Sequence, residues 1–270
     1  MLKSLKSFFH FFFITIIKNK RRLVFSALDD IWNQNNNKVL GLIWIIIRPI
    51  LFILLVSFAV IIGFRHIDND ISSYVVFFGI GYICWLFFVE TLSNSILLIR
   101  KKHSLLSRVD YDSRLVPMAI IIKNLITHLI LLALMISLSS IYLDINFIFD
   151  YKILFSIMMY SIFLLGLVFL ISSICVYFPD LEEIFKMVMQ FGFWMTPILW
   201  SHEKLGLSYQ WVIKYNPIFY FISSYRESLL GNTFSAGVSS TITLALLALL
   251  SLFIGFIIFD LLKDDLFENL

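Results

Sequence analysis

Apolar runs long enough to cross a bilayer, separated by short charged clusters, fill most of this chain. A hydrocarbon core of about 30 Å needs about 20 consecutive apolar residues in helical form. By that rule the pattern predicts six spans, over residues 39–63, 74–99, 115–142, 152–178, 182–200 and 237–262. Each is read as a helix, because a helix closes its backbone hydrogen bonds within one segment and lipid offers no substitute. The expected fold class is an all-α integral membrane protein with six transmembrane helices, its membrane domain covering residues 39–270. No internal repeat is visible, which argues against the inverted halves of many secondary transporters.

Residues 1–38 follow a different pattern. Lys3 and Lys6 precede an apolar stretch over residues 8–17, interrupted by His10 and Thr15, and Lys18, Lys20, Arg21 and Arg22 follow it. The stretch is too short to span, and the basic block stands where a signal peptide would have a small-residue cleavage site. The reading is an amphipathic helix lying in the membrane interface, phenylalanines in lipid and bases at anionic headgroups. A disordered basic tail is the competing reading of the same composition. With this segment inside, the inner segments also hold Lys38, Arg100, Lys101, Lys102, Arg108, Arg114, Lys186 and Lys263, whereas the outer ones hold only Arg65, Lys152, Lys204, Lys214 and Arg226. That asymmetry places both termini in the cytoplasm. The basic loop over residues 100–114 suits either docking to a cytoplasmic partner or binding to headgroups, with Arg100, Lys101, Lys102, Arg108 and Arg114 as its bases.

Between the fifth and sixth predicted spans, residues 196–232 look like two short re-entrant helices at the outer mouth of a pathway. Thr196-Pro197 ends the first. Asn216 can cap a second that begins at Pro217 and ends at Gly231, a segment of about 21 Å carrying Tyr220, Tyr225 and Arg226. Irregular backbone at that depth is tolerated where protein or a wet cavity surrounds it. Aromatic rings there would suit the C–H faces of sugars. They would equally compose the aromatic belt of any membrane interface.

Three charges sit inside otherwise apolar spans: Arg48, Glu90 and Lys123. Counted from the expected cytoplasmic ends, they lie at similar depths of about 12–13 Å. A charge near the centre of a span costs about 2.5–3.5 kcal/mol on the gentlest scale, so each should face protein or water. Glu90 is expected to pair with Arg48 or Lys123, within one subunit or across a dimer, either as a structural ion pair or as a control on the cytoplasmic half of the pathway. Pro49 beside Arg48 withdraws a backbone donor and is expected to kink the first span.

Composition narrows the function further. With 60% hydrophobic and 14% charged residues and a mean hydropathy of +0.92, the chain has too little polar surface for a soluble globule. No Gly-x-x-x-x-Gly-Lys-Ser/Thr phosphate loop occurs, so any nucleotide-driven step needs another chain. Cys84 and Cys175 lie in apolar runs and are read as small hydrophobes. His10, His66, His103, His128 and His202 are scattered over different segments, which disfavours a membrane acyl- or glycosyltransferase. No catalytic residue, metal site or nucleic-acid partner is expected.

These residues together resemble the permease subunit of polysaccharide-exporting ATP-binding-cassette transporters, the group that exports O-antigen, capsule and teichoic acid chains. The resemblance rests on Leu40-Gly41-Leu42-Ile43-Trp44 with Arg48-Pro49, Gly79-Ile80 through Trp85 with Phe87-Phe88 and Glu90, and Arg114-Leu115-Val116-Pro117. It continues in Asp180-Leu181, Gln190, Thr196-Pro197-Ile198, Asn216-Pro217 and Tyr225-Arg226. It implies a homodimer in the bacterial inner membrane, two cytoplasmic ATPase subunits that bind ATP and magnesium, and docking through the basic loop and the N-terminal helix. It also implies a lipid-linked polysaccharide, as in lipopolysaccharide biosynthesis, moving through an aromatic-lined channel. Trp44, Tyr82, Trp85, Trp194 and Tyr225 are the channel candidates; Thr196, Pro197, Asn216, Pro217, Tyr220 and Arg226 are those of an outer gate. Pro179 stands where the family often has arginine, and Thr196 where serine is usual. The alternative is a related permease for a drug, lipid or other small amphiphile.

Overall fold

The computed structural model describes residues 7–35, 39–64, 71–96, 112–143, 147, 150–178, 180–201, 206, 209–231 and 241–262. Among these residues every regular element is helical. A π-turn over Phe11–Thr15 leads into α1 (Ile16–Asn35), and a short 3-10 turn over Gly41–Ile43 leads into α2 (Trp44–Phe64). Then come α3 (Ile71–Ile96), α4 (Leu115–Tyr142), α5 (Lys152–Tyr177) and α6 (Leu181–Met195). Short α7 (Gln210–Lys214), α8 (Pro217–Leu230) and α9 (Thr241–Leu262) complete the chain.

Five helices among the described residues are long and apolar enough to cross a membrane: Gly41–Gly63, Ile71–Ile96, Leu115–Tyr142, Lys152–Tyr177 and Thr241–Leu262. They coincide closely with five of the six expected spans. The remaining one, expected over residues 182–200, is the 15-residue α6 followed by a turn. At 1.5 Å per residue α6 is about 22 Å long, shorter than a hydrocarbon core of about 30 Å. Its start is favoured by Glu182 and Glu183 in the first turn, where carboxylates complement the helix dipole.

α3 is the most buried of the five long helices and α2 the least. α3 lies at the centre, packed against α2, α4, α5, α6 and α8. α5 and α9 approach each other closely where Gly166 faces Gly255: a Cβ on Gly166 would overlap the backbone of Ser251 and Leu252, and one on Gly255 the Gly166 carbonyl. Ser251 Oγ donates to Phe163 O at 2.8 Å across the same contact. Small residues serve here because lipid supplies no hydrophobic drive between helices, leaving van der Waals packing and hydrogen bonds to hold them.

The N-terminal segment is fastened to this core rather than lying free. Phe11 is fully buried with its ring 5.7 Å from Phe256 and 6.4 Å from Phe169. Ser7 Oγ donates to Asp260 Oδ1 at 3.0 Å, near the end of α9. Arg114 joins the cluster, donating to Asp112 at 2.8 Å and to Ser7 Oγ at 2.7 Å, with Asp260 3.6 Å away. Burial disfavours this guanidinium's charge, but the hydrogen bond and charge of Asp112 more than offset that and raise its pKa. α1 then runs along α4, burying Leu23 and Ala27 and exposing Ile17, Val24, Phe25, Leu28 and Trp32.

Gly255→Val should lower Tm in detergent, since overpacking costs about 1–3 kcal/mol. Gly63→Ala, where an added Cβ meets nothing within 4 Å, should leave Tm unchanged. Thermal unfolding of the two variants side by side tests the α5–α9 contact, and equal behaviour would contradict it.

Candidate functional site

Among the described residues, two polar centres hold most of the expected site residues. The first is the turn that follows α6. Pro197 has no amide hydrogen and forces the residue before it out of the helical region. Thr196 accordingly adopts φ −84°, ψ 137°, and the carbonyls beyond it lack helical partners. Arg226 of α8, 3% exposed, takes them up. Its Nη1 donates to Pro197 O at 2.8 Å and its Nη2 to Ile198 O at 2.9 Å. Nε and Nη2 also donate to Phe77 O of α3 at 3.2 and 3.0 Å, and the guanidinium carbon lies 3.4 Å from the Phe77 ring centroid. Gly81 leaves the space: a Cβ there would collide with Nη2.

Two neighbours complete this turn. Tyr74 Oη donates to Leu199 O at 3.2 Å. Asn216 Nδ2 donates to Thr196 Oγ1 at 2.8 Å, while its Oδ1 accepts from Ile218 N at 3.0 Å and Phe219 N at 3.4 Å, capping α8. Pro217 occupies the first turn of α8, and Gly231 ends it at φ 83°, the left-handed region that glycine tolerates. The expected gate residues Thr196, Pro197, Asn216, Pro217 and Arg226 therefore meet at one junction. Tyr220 bonds elsewhere, donating to Lys214 O at 3.0 Å.

The second centre is an open cavity of about 410 Å³ lined by α1, α2, α3 and α4. Arg48, Glu90 and Lys123 all line it. Glu90 thus shares this space with both bases. Lys123, 6% exposed, donates to Gln34 Oε1 of α1 at 2.8 Å. Arg48 lies over the Trp44 ring, 5.3 Å from its centroid. Trp44 and Tyr82 contribute aromatic walls, with Ser93, Asn94 and Thr127 the remaining polar ones. Pro49 adds to this polarity, since it cannot donate to the carbonyl of Ile45, and both residues line the cavity.

The other channel candidates lie away from this cavity's lining. Trp85 is 5% exposed and packs on Phe88 and Phe193, while Trp194 is 64% exposed on α6. Tyr225 is fully buried, its hydroxyl 3.1 Å from His128 Nε2, so it faces the packed interior. Arg100, Lys101, Lys102 and Arg108 of the basic loop, and Pro179, lie outside the described residues. Arg114 spends its guanidinium inside the N-terminal cluster. Sequence reading missed Gln34, whose polar neighbours in the chain mask it, and the role of Gly81 as room for Arg226.

A family model described as ABC-2 type transporter matches residues 26–230, a stretch that contains both centres. Two Klebsiella pneumoniae proteins named "O-antigen export system permease protein RfbA" are similar to this chain. One is 22% identical over 212 residues, covering 78% of this chain and 81% of the relative; the other is 23% identical over 208 residues, covering 76% and 78%. A Myxococcus xanthus protein of the same name is 22% identical over 191 residues, covering 69% of this chain and 72% of the relative.

Arg226→Gln should lower Tm sharply, because each buried carbonyl left unpaired costs about 1–3 kcal/mol. Arg226→Lys should recover little of the loss, as one ammonium cannot fork to three acceptors. Gly81→Ala disturbs the same contacts, so the double variant with Arg226→Gln should cost less than the sum of the singles. Additive losses in thermal unfolding would show that the two positions act independently.

Proposed function

The chain belongs to the ABC-2 type transporter family, and on that premise we propose that it is the membrane-spanning subunit of an ATP-driven exporter of a lipid-linked, O-antigen-like polysaccharide. The substrate passes from the cytoplasmic side across the inner membrane of a bacterium. The observation that carries this reading is the breadth of similarity to three O-antigen export permeases, from 69% to 78% of this chain. ATP hydrolysis belongs to a separate partner, two copies of which dock on the basic loop and the N-terminal helix. Both termini lie in the cytoplasm, in keeping with the distribution of bases.

Six spans and a homodimer fit the geometry of a single chain. α6 and the turn after it run antiparallel along α3, from Met189 near Ser93, through Gly192 at Trp85 and Phe193 at Tyr82, to Leu199 at Tyr74. α6, about 22 Å long, is carried further by the turn to Leu199, so the helix and its turn together act as the fifth span. α7 and α8 then form the re-entrant outer gate held by Arg226. A cavity of about 410 Å³ is too small for a polymer, so the polymer's path lies between two copies. α2 exposes Leu51, Leu54, Leu55 and Phe58, and α6 exposes Ile184, Val188 and Phe191, apolar faces available for a second copy or lipid.

Depleting the chain in its native cell should make lipid-linked glycan accumulate on the cytoplasmic side and reduce glycan at the surface, as read by surface labelling and fractionation. Restoring the chain should reverse this, and restoring a version without residues 100–114 should not. Unchanged surface glycan would overturn the polysaccharide assignment.

A further inference from the structure

The cavity between α1, α2, α3 and α4 has the walls of a small-ligand site, and we propose that it binds a phosphate-bearing sugar. This deepens the exporter reading and rests on it, because it takes the bound unit to be one end of the exported amphiphile. Charges within membrane spans face protein or water and mark the path of substrate or ion. Among the described residues that line the space, two cations, Arg48 and Lys123, accompany one carboxylate, Glu90, an excess of one positive charge in that lining. That excess selects an anion. Arg48 is exposed, so its planar fork is open to the two oxygens of a phosphate, and Lys123 supplies a point charge that Gln34 holds at the wall.

The rest of the lining suits the sugar. Trp44 and Tyr82 offer ring faces and edges, a surface that accepts the C–H side of a pyranose while leaving polar atoms to bond. Asn94 and the carboxylate of Glu90 supply donor and acceptor groups for ring hydroxyls. The volume of about 410 Å³ falls at the lower end of the range for small-molecule sites, roughly 300–1,000 Å³. It holds a terminal unit and excludes a chain of them. Glu90 opposes the phosphate and so limits its residence, as a transported group requires.

The test uses the full chain in nanodiscs of phosphatidylcholine, with tryptophan fluorescence as the readout and glucose 1-phosphate as the probe. Saturable quenching is expected with glucose 1-phosphate, none with glucose, and a reduced signal in Trp44→Phe. Arg48→Gln, an exposed position whose change should not disturb folding, should weaken binding by about tenfold or more. Glu90→Gln should tighten it. Equal quenching by glucose, no saturable signal in the wild type, or unchanged affinity in Arg48→Gln would overturn the proposal. Loss of glucose 1-phosphate binding when phosphatidylglycerol is included would assign the site to a phospholipid headgroup and overturn it as well. Absent binding alongside intact glycan export would sink this inference alone. Binding retained in a protein whose depletion leaves surface glycan unchanged would sink the polysaccharide reading and keep the site.

Discussion

Backbone polar groups cannot be left open in a medium without water, and the arrangement around Arg226 follows from that constraint. Once Pro197 stops α6, the carbonyls of Pro197, Ile198 and Leu199 must find donors inside the protein. One guanidinium serves two of them and a carbonyl of α3 besides, because its five donors are fixed in a plane. The charge is stabilised in return by oriented carbonyl dipoles and by the Phe77 ring face. The consequence is mechanical: α8, the turn after α6 and the first third of α3 form one polar-bonded unit within an apolar bundle.

The second polar centre answers the same constraint differently. Instead of being saturated by backbone, Arg48, Glu90 and Lys123 surround space. Only Lys123 among them is deeply buried, and Gln34 of α1 accepts from it. α1 thus bounds the cavity on one side through Ile31 and this glutamine. Its far end is secured by Phe11, Ser7 and Arg114, so α1 is tied at both ends to helices distant in the sequence.

Much of this was legible in the residues themselves. The limits of α4 and α5 follow from where apolar runs begin and end, and α8 runs from Pro217 to Leu230 between the Asn216 cap and Gly231 that mark it. Similar depths for Arg48, Glu90 and Lys123 followed from counting residues along each helix, and all three line one cavity. Depth alone could not say that Gln34 would be the acceptor for Lys123, nor that Tyr225 would turn to His128 in the interior. The length of α6 was overestimated because its apolar run continues through Pro197, where composition stays hydrophobic while helical hydrogen bonding stops.

What the sequence by itself determined is local: helical segments, caps, breaks at proline, the bias of bases along the chain, and a family resemblance carried by ordered short motifs. These depend on neighbours within a few residues, whose chemistry is written consecutively. Tertiary structure decided the rotation of each span about its axis, and with it the pairings of Arg226 with Phe77 across 149 residues and Lys123 with Gln34 across 89. A helix that meets lipid on one side and protein on the other is apolar on both, so its sequence has no polar stripe to mark which face is buried.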